Sequence, residues 1–306
     1  MSEKAHAAQT ELEASYETNR WPYVLTLPIS WFLIIWVLSK KLLWKIFGKK
    51  PKINSFWFDG LGVQCRGIKE GAASWKALDI IYNHFSEVKK KDHQGFRGKV
   101  DDFWIGMINA QAVRNRFKLV RYELEKNLLN VSKKYSDEIR MLSLGCGSAH
   151  AILETMVALK KQGVIVHALL LDFDQTALDY AQEIAEQNGI LDQVQVVLAN
   201  VRDMLPIAEE YKPHVVEMLG LLDYIPEKPA IKLTAKIYKV LPRGGMFLTC
   251  NIHQNIEQFF LYVVINWGMI YRRRHELEKI IHNGGFDNYK IIYEPLNIHG
   301  IVIASK

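Results

Sequence analysis

LSLGCGSAH, at Leu142–His150, carries the chain from an apolar strand through a turn of small residues into a helix. Small residues let a ligand approach the backbone, and the first turn of a helix offers N–H groups to a carboxylate or a phosphate. The next predicted strand, 164–171, ends at Asp172. An acid at the tip of the second strand holds a nucleoside ribose in Rossmann-like folds. The two features together predict a site for a nucleoside-containing cofactor.

From Ile139 onward, predicted strands and helices alternate. The strands are expected at 139–144, 164–171, 193–198, 214–219, 245–251, 289–294 and 299–305. The helices are expected at 149–161, 175–187, 203–210, 228–240 and 274–283. This order predicts an α/β fold with a seven-stranded, mostly parallel sheet and helices on both faces. The last two strands have no helix between them, which favours an antiparallel hairpin at the end of the chain.

A mainly helical region, 53–134, precedes the sheet. Apolar residues at helical spacing predict one long helix over about 103–131, and a shorter helix is expected over 74–86. Asn109 and Arg114 fall near the start of the long helix. Either that helix covers the cofactor site, or it only packs on the domain with its arginines in solvent. The pattern leaves both interpretations open.

A stretch without charged residues, Trp21–Leu38, comes before that region and is at the lower length limit for crossing a bilayer. A lysine-rich segment, 40–52, follows it directly. Because positive flanks stay in the cytosol, the sequence predicts a single-pass transmembrane helix over 21–39. The acidic tail 1–20 would then lie outside, and the catalytic domain 135–306 would lie on the cytosolic face. The lysine-rich segment is expected on an anionic lipid surface.

Two other interpretations of the apolar stretch stay open. Pro28 could break it into a hairpin that lies in the membrane interface, or the stretch could be the buried helix of a soluble domain. A cleaved signal peptide fits poorly, because acidic residues come first and no small-residue cleavage site is evident.

The composition excludes several classes of function. The 306 residues are 49% hydrophobic and 24% charged, and the net charge of +6 is concentrated in the lysine-rich segment 40–52. The rest of the chain is close to neutral, so no nucleic-acid partner is expected. Cys65, Cys146 and Cys250 form no close pair, and the histidines show no ligand spacing. Neither a disulfide framework nor a metal site is therefore expected.

Four short motifs, taken in order, resemble those of the class I, Rossmann-like, S-adenosylmethionine-dependent methyltransferases. Leu144–Ala149 resembles the first motif of that family, and Asp172 resembles the acid that binds the ribose hydroxyls. Ala199–Asp203 resembles the segment near the adenine, and Leu241–Met246 resembles the turn before strand five. The resemblance covers about 135–306, more than half of the chain.

The resemblance implies that S-adenosyl-L-methionine is the cofactor. Ser143 stands where the family often has an acid, and Ala149 stands at the third small position of the turn, where the family has glycine. The cofactor-binding residues that the resemblance implies are Ser143, Gly145, Cys146, Gly147, Asp172, Phe173, Asn200, Val201 and Glu217. A nicotinamide-dependent oxidoreductase is the less favoured interpretation, because the turn lacks the full G-x-G-x-x-G spacing.

Methyl transfer needs alignment, a dry pocket and, for an oxygen or a protonated amine, a nearby base. Ligands bind at the carboxyl ends of the strands in open α/β sheets. The candidate catalytic residues at the ends of strands four and five are Glu217, Asp223, Tyr224 and His253. Glu217 lies in an apolar run, so it is either functional or paired with a buried cation.

The candidate substrate-binding residues are Asn109, Arg114, Asn251, Trp267 and Tyr271. The apolar segment Phe259–Tyr271 either forms the wall of an acceptor pocket or packs as a helix on the sheet. Together with the membrane helix, it favours a hydrophobic or amphiphilic small molecule, such as a lipid, as the methyl acceptor. A membrane-bound protein methyltransferase and a non-catalytic cofactor-binding scaffold are the alternatives.

Overall fold

The structure, a computed structural model, describes residues 3–48, 60–85, 95–135 and 138–306. By its internal contacts the chain divides into two units. The sheet unit comprises 1–14, 116–253 and 270–306, and the helical unit comprises 15–115 and 254–269.

Seven strands form one sheet in the sheet unit. They are β1 (Glu138–Leu144), β2 (Ile165–Asp172), β3 (Val194–Leu198), β4 (Val215–Met218), β5 (Met246–Ile252), β6 (Asn288–Tyr293) and β7 (His299–Ser305). Their order across the sheet is β3-β2-β1-β4-β5-β7-β6. Neighbouring strands among β1 to β5 pair in parallel, whereas β7 runs antiparallel to β5 and β6. The Rossmann-like sheet expected from the sequence is therefore confirmed.

The helices fall before, between and after these strands. They are α1 (Glu3–Ser15), α2 (Trp21–Ile46), α3 (Val63–Glu70), α4 (Trp75–Asn83), α5 (Gly95–Ile105), α6 (Ile108–Tyr135), α7 (His150–Lys160), α8 (Gln175–Gln187), α9 (Met204–Tyr211), α10 (Glu227–Val240), α11 (Gln258–Phe260) and α12 (Arg274–Asn283). A π-helical turn, Leu261–Ile265, continues α11. The helix expected over 74–86 is α4, and residue 86 lies outside the described residues.

The core of the sheet unit follows from its parallel strands. Every residue of β4 and β5 is buried, as expected for strands that are covered on both faces. Leu142, Val216 and Phe247 are fully buried at the centre of this core. At one edge of the sheet, register pairs Ser143 with Glu217 and Ile252 with His299. That edge, at the carboxyl ends of the parallel strands, gathers most of the predicted site residues.

The long helix expected over 103–131 is wrong, because the structure has two helices, α5 and α6, with a break at Gly106. The N–H of Gly106 donates to the carbonyl oxygen of Asp102, 2.9 Å away. A Cβ at position 106 would lie 2.8 Å from that oxygen, so glycine is needed at this break. The apolar spacing continues across the break and does not reveal it.

The apolar helix α2 is longer than the expected segment 21–39. It continues to Ile46 and so takes in the first lysines of the segment 40–52, and Pro28 lies inside it without ending it. Its part Thr26–Ile46 is long and apolar enough to cross a membrane, judged by length and composition alone. The lysines at 49, 50 and 52 lie outside the described residues.

Candidate functional site

The small-residue turn after β1 depends on left-handed backbone. Gly145, Gly147 and Ala149 have φ angles of +66°, +53° and +52°. The N–H groups of Gly145 and Cys146 both donate to the carbonyl oxygen of Leu171, at 2.8 and 3.2 Å. A Cβ at position 145 would also lie 3.2 Å from the side chain of Leu221. Glycine at 145 therefore lets the turn close over the end of β2.

Asp172 lies directly against this turn. Its carboxylate is buried and accepts the Gly147 N–H at 2.8 Å and the Asp174 N–H at 3.0 Å. Each of its oxygens therefore holds one backbone donor and keeps a further lone pair for a ligand hydroxyl. The two sequence features that predict the cofactor site are thus joined by a direct hydrogen bond.

Apolar side chains are exposed beside Asp172. Phe173 follows Asp172 in the chain and is 76% exposed. Leu198 of β3 pairs with Asp172 of β2 and is 56% exposed. Asn200 accepts the N–H of Arg202 at 3.0 Å through its carboxamide oxygen, which leaves the NH₂ group as a donor. Val201, at the next position, is half-buried. This surface offers an apolar platform and an amide donor, which suits a purine ring next to a ribose.

A buried carboxylate lies at the end of β4. Glu217 is 2% exposed and accepts the hydroxyl of Ser143 at 2.5 Å. Burial raises the pKa of Glu217 to about 7, although the hydrogen bonds from Ser143 and the Leu219 N–H, and the charge of Arg116, act in the opposite direction. Arg116 thus acts on Glu217 as a nearby positive charge, and a functional carboxyl and one paired with a buried cation both stay open as explanations.

Asp223 is the centre of a second buried network. It accepts the Asn251 NH₂ group at 2.7 Å and the Ile252 N–H at 2.8 Å. Arg272 donates to the carbonyl oxygen of Leu222 at 2.7 Å and also to the carboxamide oxygen of Asn251. Burial raises the pKa of Asp223 to about 6, opposed by its hydrogen bond and by Arg116 and Arg272. These contacts fix the segment after β4 against the end of β5.

Three further predicted residues lie in the sheet unit near this edge. Tyr224 is 39% exposed, and Tyr271 is half-buried. His253 is half-buried, and its ring meets that of Tyr293 edge-on at 5.9 Å. Their catalytic and substrate-binding roles stay predictions.

The other predicted substrate-binding residues lie in the helical unit. Asn109 donates its NH₂ group to Glu257 at 2.7 Å, and Arg114 forms a bidentate pair with Glu17. Trp267 is buried in an apolar cluster with Ala77 and Ile81. These contacts give each residue a structural role within the unit, and substrate binding by them stays a prediction.

Two residues near the carboxyl ends of the parallel strands were not predicted as site residues from the sequence. Arg116 is buried, and its guanidinium lies 3.9 Å from the Cys250 sulfur. His299 is 2% exposed, and neither of its ring nitrogens has a hydrogen-bond partner among the described residues. Burial and Arg116 hold the pKa of His299 well below its usual value, so the ring is neutral. A buried polar group without a partner is rare and suits contact with a ligand or water.

The signal for His299 was its place at the start of an antiparallel strand. The first residue of β7 lies at the edge where the parallel strands end, because β7 runs opposite to them. A search restricted to the carboxyl ends of strands passes over it. The register also places His299 on the same face of the sheet as Cys250 and Glu217, two strands away.

We expect the free energy of unfolding to fall as the pH rises from about 5 to about 8. The pKa of Glu217 is raised from its ordinary 4.5 to about 7, so its stabilising contribution is complete below pH 4.5 and is lost as the pH passes 7. The shift corresponds to about 3 kcal/mol. Glu217→Gln should flatten this part of the profile in denaturant titrations, whereas exposed Glu183→Gln should not. An equally steep Glu217→Gln profile would contradict the assignment.

Comparison with known proteins gives a family and a fold. The profile of a family described as "Putative methyltransferase" matches residues 27–306. No curated protein sequence matches the chain at a significant level.

Solved structures are similar to this chain at low sequence identity. A possible exported protein from Bordetella parapertussis is 16% identical, with a TM-score of 0.67, and the match covers 100% of this chain and 99% of that one. Magnesium protoporphyrin IX methyltransferase from Synechocystis PCC 6803, with bound S-adenosylmethionine, is 12% identical with a TM-score of 0.48. That match covers 75% of this chain and 96% of the other. At such identities the first likeness shows the fold.

Proposed function

Because this chain belongs to the family described as "Putative methyltransferase", we propose that it binds S-adenosyl-L-methionine and transfers its methyl group to a small molecule. The observation that carries the proposal is the hydrogen bond between Asp172 and the Gly147 N–H. It brings the acid at the tip of β2 to the small-residue turn after β1, as a nucleoside site in this fold requires.

The residues present fit this cofactor. The Asp172 carboxylate keeps lone pairs for two ribose hydroxyls, and exposed Phe173 and Leu198 offer apolar contact to adenine. The left-handed turn at Gly145 and Gly147 offers close backbone approach to the amino-acid part. When bound, S-adenosylmethionine supplies a methyl group on a sulfonium centre that is already a good leaving group.

The chain's own contribution is alignment and control of one proton. Glu217 is shielded from water and has a pKa near 7, so its carboxylate can take the proton from an acceptor hydroxyl or ammonium. Ser143 holds that carboxylate by a hydrogen bond of 2.5 Å. Arg116 supplies a buried positive charge that favours the ionised forms of Glu217 and Asp223. We therefore assign the general base to Glu217 and a positioning role to Ser143.

The acceptor that we propose is hydrophobic or amphiphilic, with a lipid as the favoured case. The support is helix α2, whose part Thr26–Ile46 is apolar enough to enter a membrane. An enzyme held at a bilayer meets lipids at high local concentration. We also propose that the protein is attached to the membrane on its cytosolic face, because lysines cluster at the carboxyl end of α2 and the cytoplasmic leaflet carries anionic lipids. The sequence alone favours a single-pass arrangement.

The acceptor class can be tested with the full-length protein, a membrane extract and S-adenosylmethionine labelled in its methyl group. We expect label in the lipid phase, which should disappear with Asp172→Ala and persist with Asp174→Ala. Asp174 lies in the same loop and caps α8 by accepting the Thr176 N–H at 2.9 Å. Label found only in protein would overturn the small-molecule acceptor in favour of a protein methyltransferase. Cofactor binding without any labelled product would overturn methyl transfer in favour of a non-catalytic cofactor-binding scaffold.

A further inference from the structure

Helix α2 has an uncharged outer face that no described part of the chain covers. This outer face consists of Val24, Trp31, Ile35, Leu38, Leu42 and Ile46, which are between 47% and 68% exposed. It extends over about 33 Å of helix. A surface helix of a soluble domain places charged residues on its outer side, whereas large exposed apolar faces mark interaction sites. The outer face therefore needs an apolar partner.

The opposite face of α2 packs on its own unit. Leu33, Ile34 and Val37 are buried in one apolar cluster with Trp104 of α5 and Phe260 of α11. The rings of Trp104 and Phe260 stack at 5.3 Å. The middle of α2 is thus fixed side by side with α5 and α11.

These neighbours bring carboxylates to the level of the helix middle. Glu257 lines the same small cavity as Thr26, Ser30 and Ile34 of α2. It is buried and caps the start of α6 by accepting the Ile108 N–H at 3.2 Å and the Asn109 N–H at 2.8 Å. If α2 crossed a bilayer, this acid and the polar helix start would have to enter the hydrocarbon core, which is costly.

Asp101 is a second buried carboxylate, on α5, in the part of the unit that packs against α2. It is buried three residues before Trp104 and accepts the Cys65 N–H at 2.8 Å and the Gln64 N–H at 3.2 Å, at the start of α3. The elements that hold α2 therefore belong to a folded polar unit, and that unit is unlike a bundle of membrane helices.

The residues before α2 are tied to the same unit. Glu17 pairs with Arg114 at 2.6 Å. Its N–H donates to the carboxamide oxygen of Asn115, and the Asn115 NH₂ group donates to the Glu17 carbonyl oxygen. Gln111 donates to the carbonyl oxygen of Asn19 at 2.8 Å. The start of α2 is thus attached to the helical unit through the start of α6, and its middle packs in one apolar cluster with α5 and α11. A helix that crossed the membrane would carry the second attachment, with the polar unit that makes it, into the hydrocarbon core.

We propose that α2 lies in the plane of an anionic membrane leaflet with its outer face in the lipid, and that it does not cross the bilayer. Lys40, Lys41 and Lys45 suit the negative head groups. Lys40 lies over the rings of Trp36 and Trp44, at 5.5 and 5.4 Å, and tryptophan is enriched at the membrane interface. The proposal deepens the proposed membrane attachment and is independent of the reaction.

Binding can be tested by flotation of the full-length protein with vesicles. We expect binding to phosphatidylglycerol–phosphatidylcholine vesicles and much less to pure phosphatidylcholine. The double variant Trp31→Glu, Ile35→Glu should lower the bound fraction at least about tenfold. Leu191→Glu, at an exposed apolar residue of the sheet unit, is the matched control and should bind as wild type. Unchanged melting temperatures establish that the variants fold.

The orientation is tested in sealed membrane vesicles from cells that produce the chain. Thr10→Cys before α2 and Asp192→Cys after it introduce exposed thiols. Both are made in a Cys146→Ser background, because Cys146 is only half-buried whereas Cys65 and Cys250 are buried. An impermeant maleimide should label both positions from the same side. Labelling from opposite sides would show that α2 crosses and would overturn the proposal.

Two other results would overturn the surface proposal and leave the methyl-transfer proposal intact. One is labelled product from protein that binds no vesicles. The other is a dimer in solution that Trp31→Glu, Ile35→Glu dissociates in the absence of any vesicle binding, which would assign the outer face to a second copy of the chain. Conversely, vesicle binding without any methyl transfer would overturn the proposed function alone.

Discussion

Replacing Asp172 by alanine is expected to weaken binding of S-adenosylmethionine and S-adenosylhomocysteine by at least about 100-fold. The carboxylate would accept two ribose hydroxyls, and hydrogen bonds to a charged group contribute about 1.5–3 kcal/mol each. The variant also loses the hydrogen bond from the Gly147 N–H, so the small-residue turn is less fixed before the ligand arrives. Titration calorimetry on the full-length protein measures the change directly.

The matched control for this experiment is Asp174→Ala. Asp174 belongs to the same loop, and its side chain accepts the N–H and the hydroxyl of Thr176 at the start of α8. Its loss should cost about 1 kcal/mol of stability, as for other helix caps, and leave cofactor affinity within about twofold. Affinities of Asp172→Ala within threefold of wild type, in a variant that melts normally, would refute the role of Asp172.

Glu217→Gln is expected to lower kcat by about 100-fold or more, because an amide cannot take a proton from the acceptor. Cofactor affinity should change much less, since the amide retains the shape and a hydrogen bond to Ser143. In the wild type, activity should rise as the pH passes about 7, where the Glu217 carboxyl loses its proton. The variant should lack that rise. Single-turnover rates measured between pH 5.5 and 8.5 would show both effects.

The variant Ser143→Ala distinguishes a role of Glu217 as general base from a purely structural role of its carboxyl group. The Ser143 hydroxyl lowers the pKa of Glu217, so its removal should move the rise in activity to higher pH while the maximal rate is largely kept. A structural role for Glu217 predicts a loss of stability and no movement of the pH profile. A Glu217→Gln enzyme with wild-type kcat would exclude this residue as the base and direct attention to His299.

The sheet could be predicted because its signals are local and repeated. Parallel strands covered on both faces appear as short apolar runs, and the glycine turn and Asp172 mark two neighbouring strand ends. What the sequence could not supply is pairing across the sheet. The contact between Ser143 and Glu217 joins residues far apart in the chain, and it exists only because β1 and β4 are neighbours.

The remaining differences also have physical causes. The break at Gly106 interrupts a regular apolar spacing, because backbone contact and not hydrophobic pattern decides it. The extension of α2 past residue 39 shows that lysines are good helix formers, so a change from apolar to basic residues does not end a helix. Arg116 becomes visible as a site residue only through its burial, and His299 only through its burial and the lack of a partner for its ring nitrogens among the described residues.

If the outer face of α2 lies in a leaflet, the acceptor concentration that matters to this protein is the one in the membrane and not the one in bulk solution. A catalyst fixed at the interface searches for its acceptor in two dimensions, and the quantity that sets its rate is the mole fraction of acceptor among the surrounding molecules. Diluting such an acceptor with inert phospholipid would slow turnover even when the bulk amount stays constant. The outer face from Val24 to Ile46 would thus keep the enzyme close to an acceptor that it would meet only briefly in water.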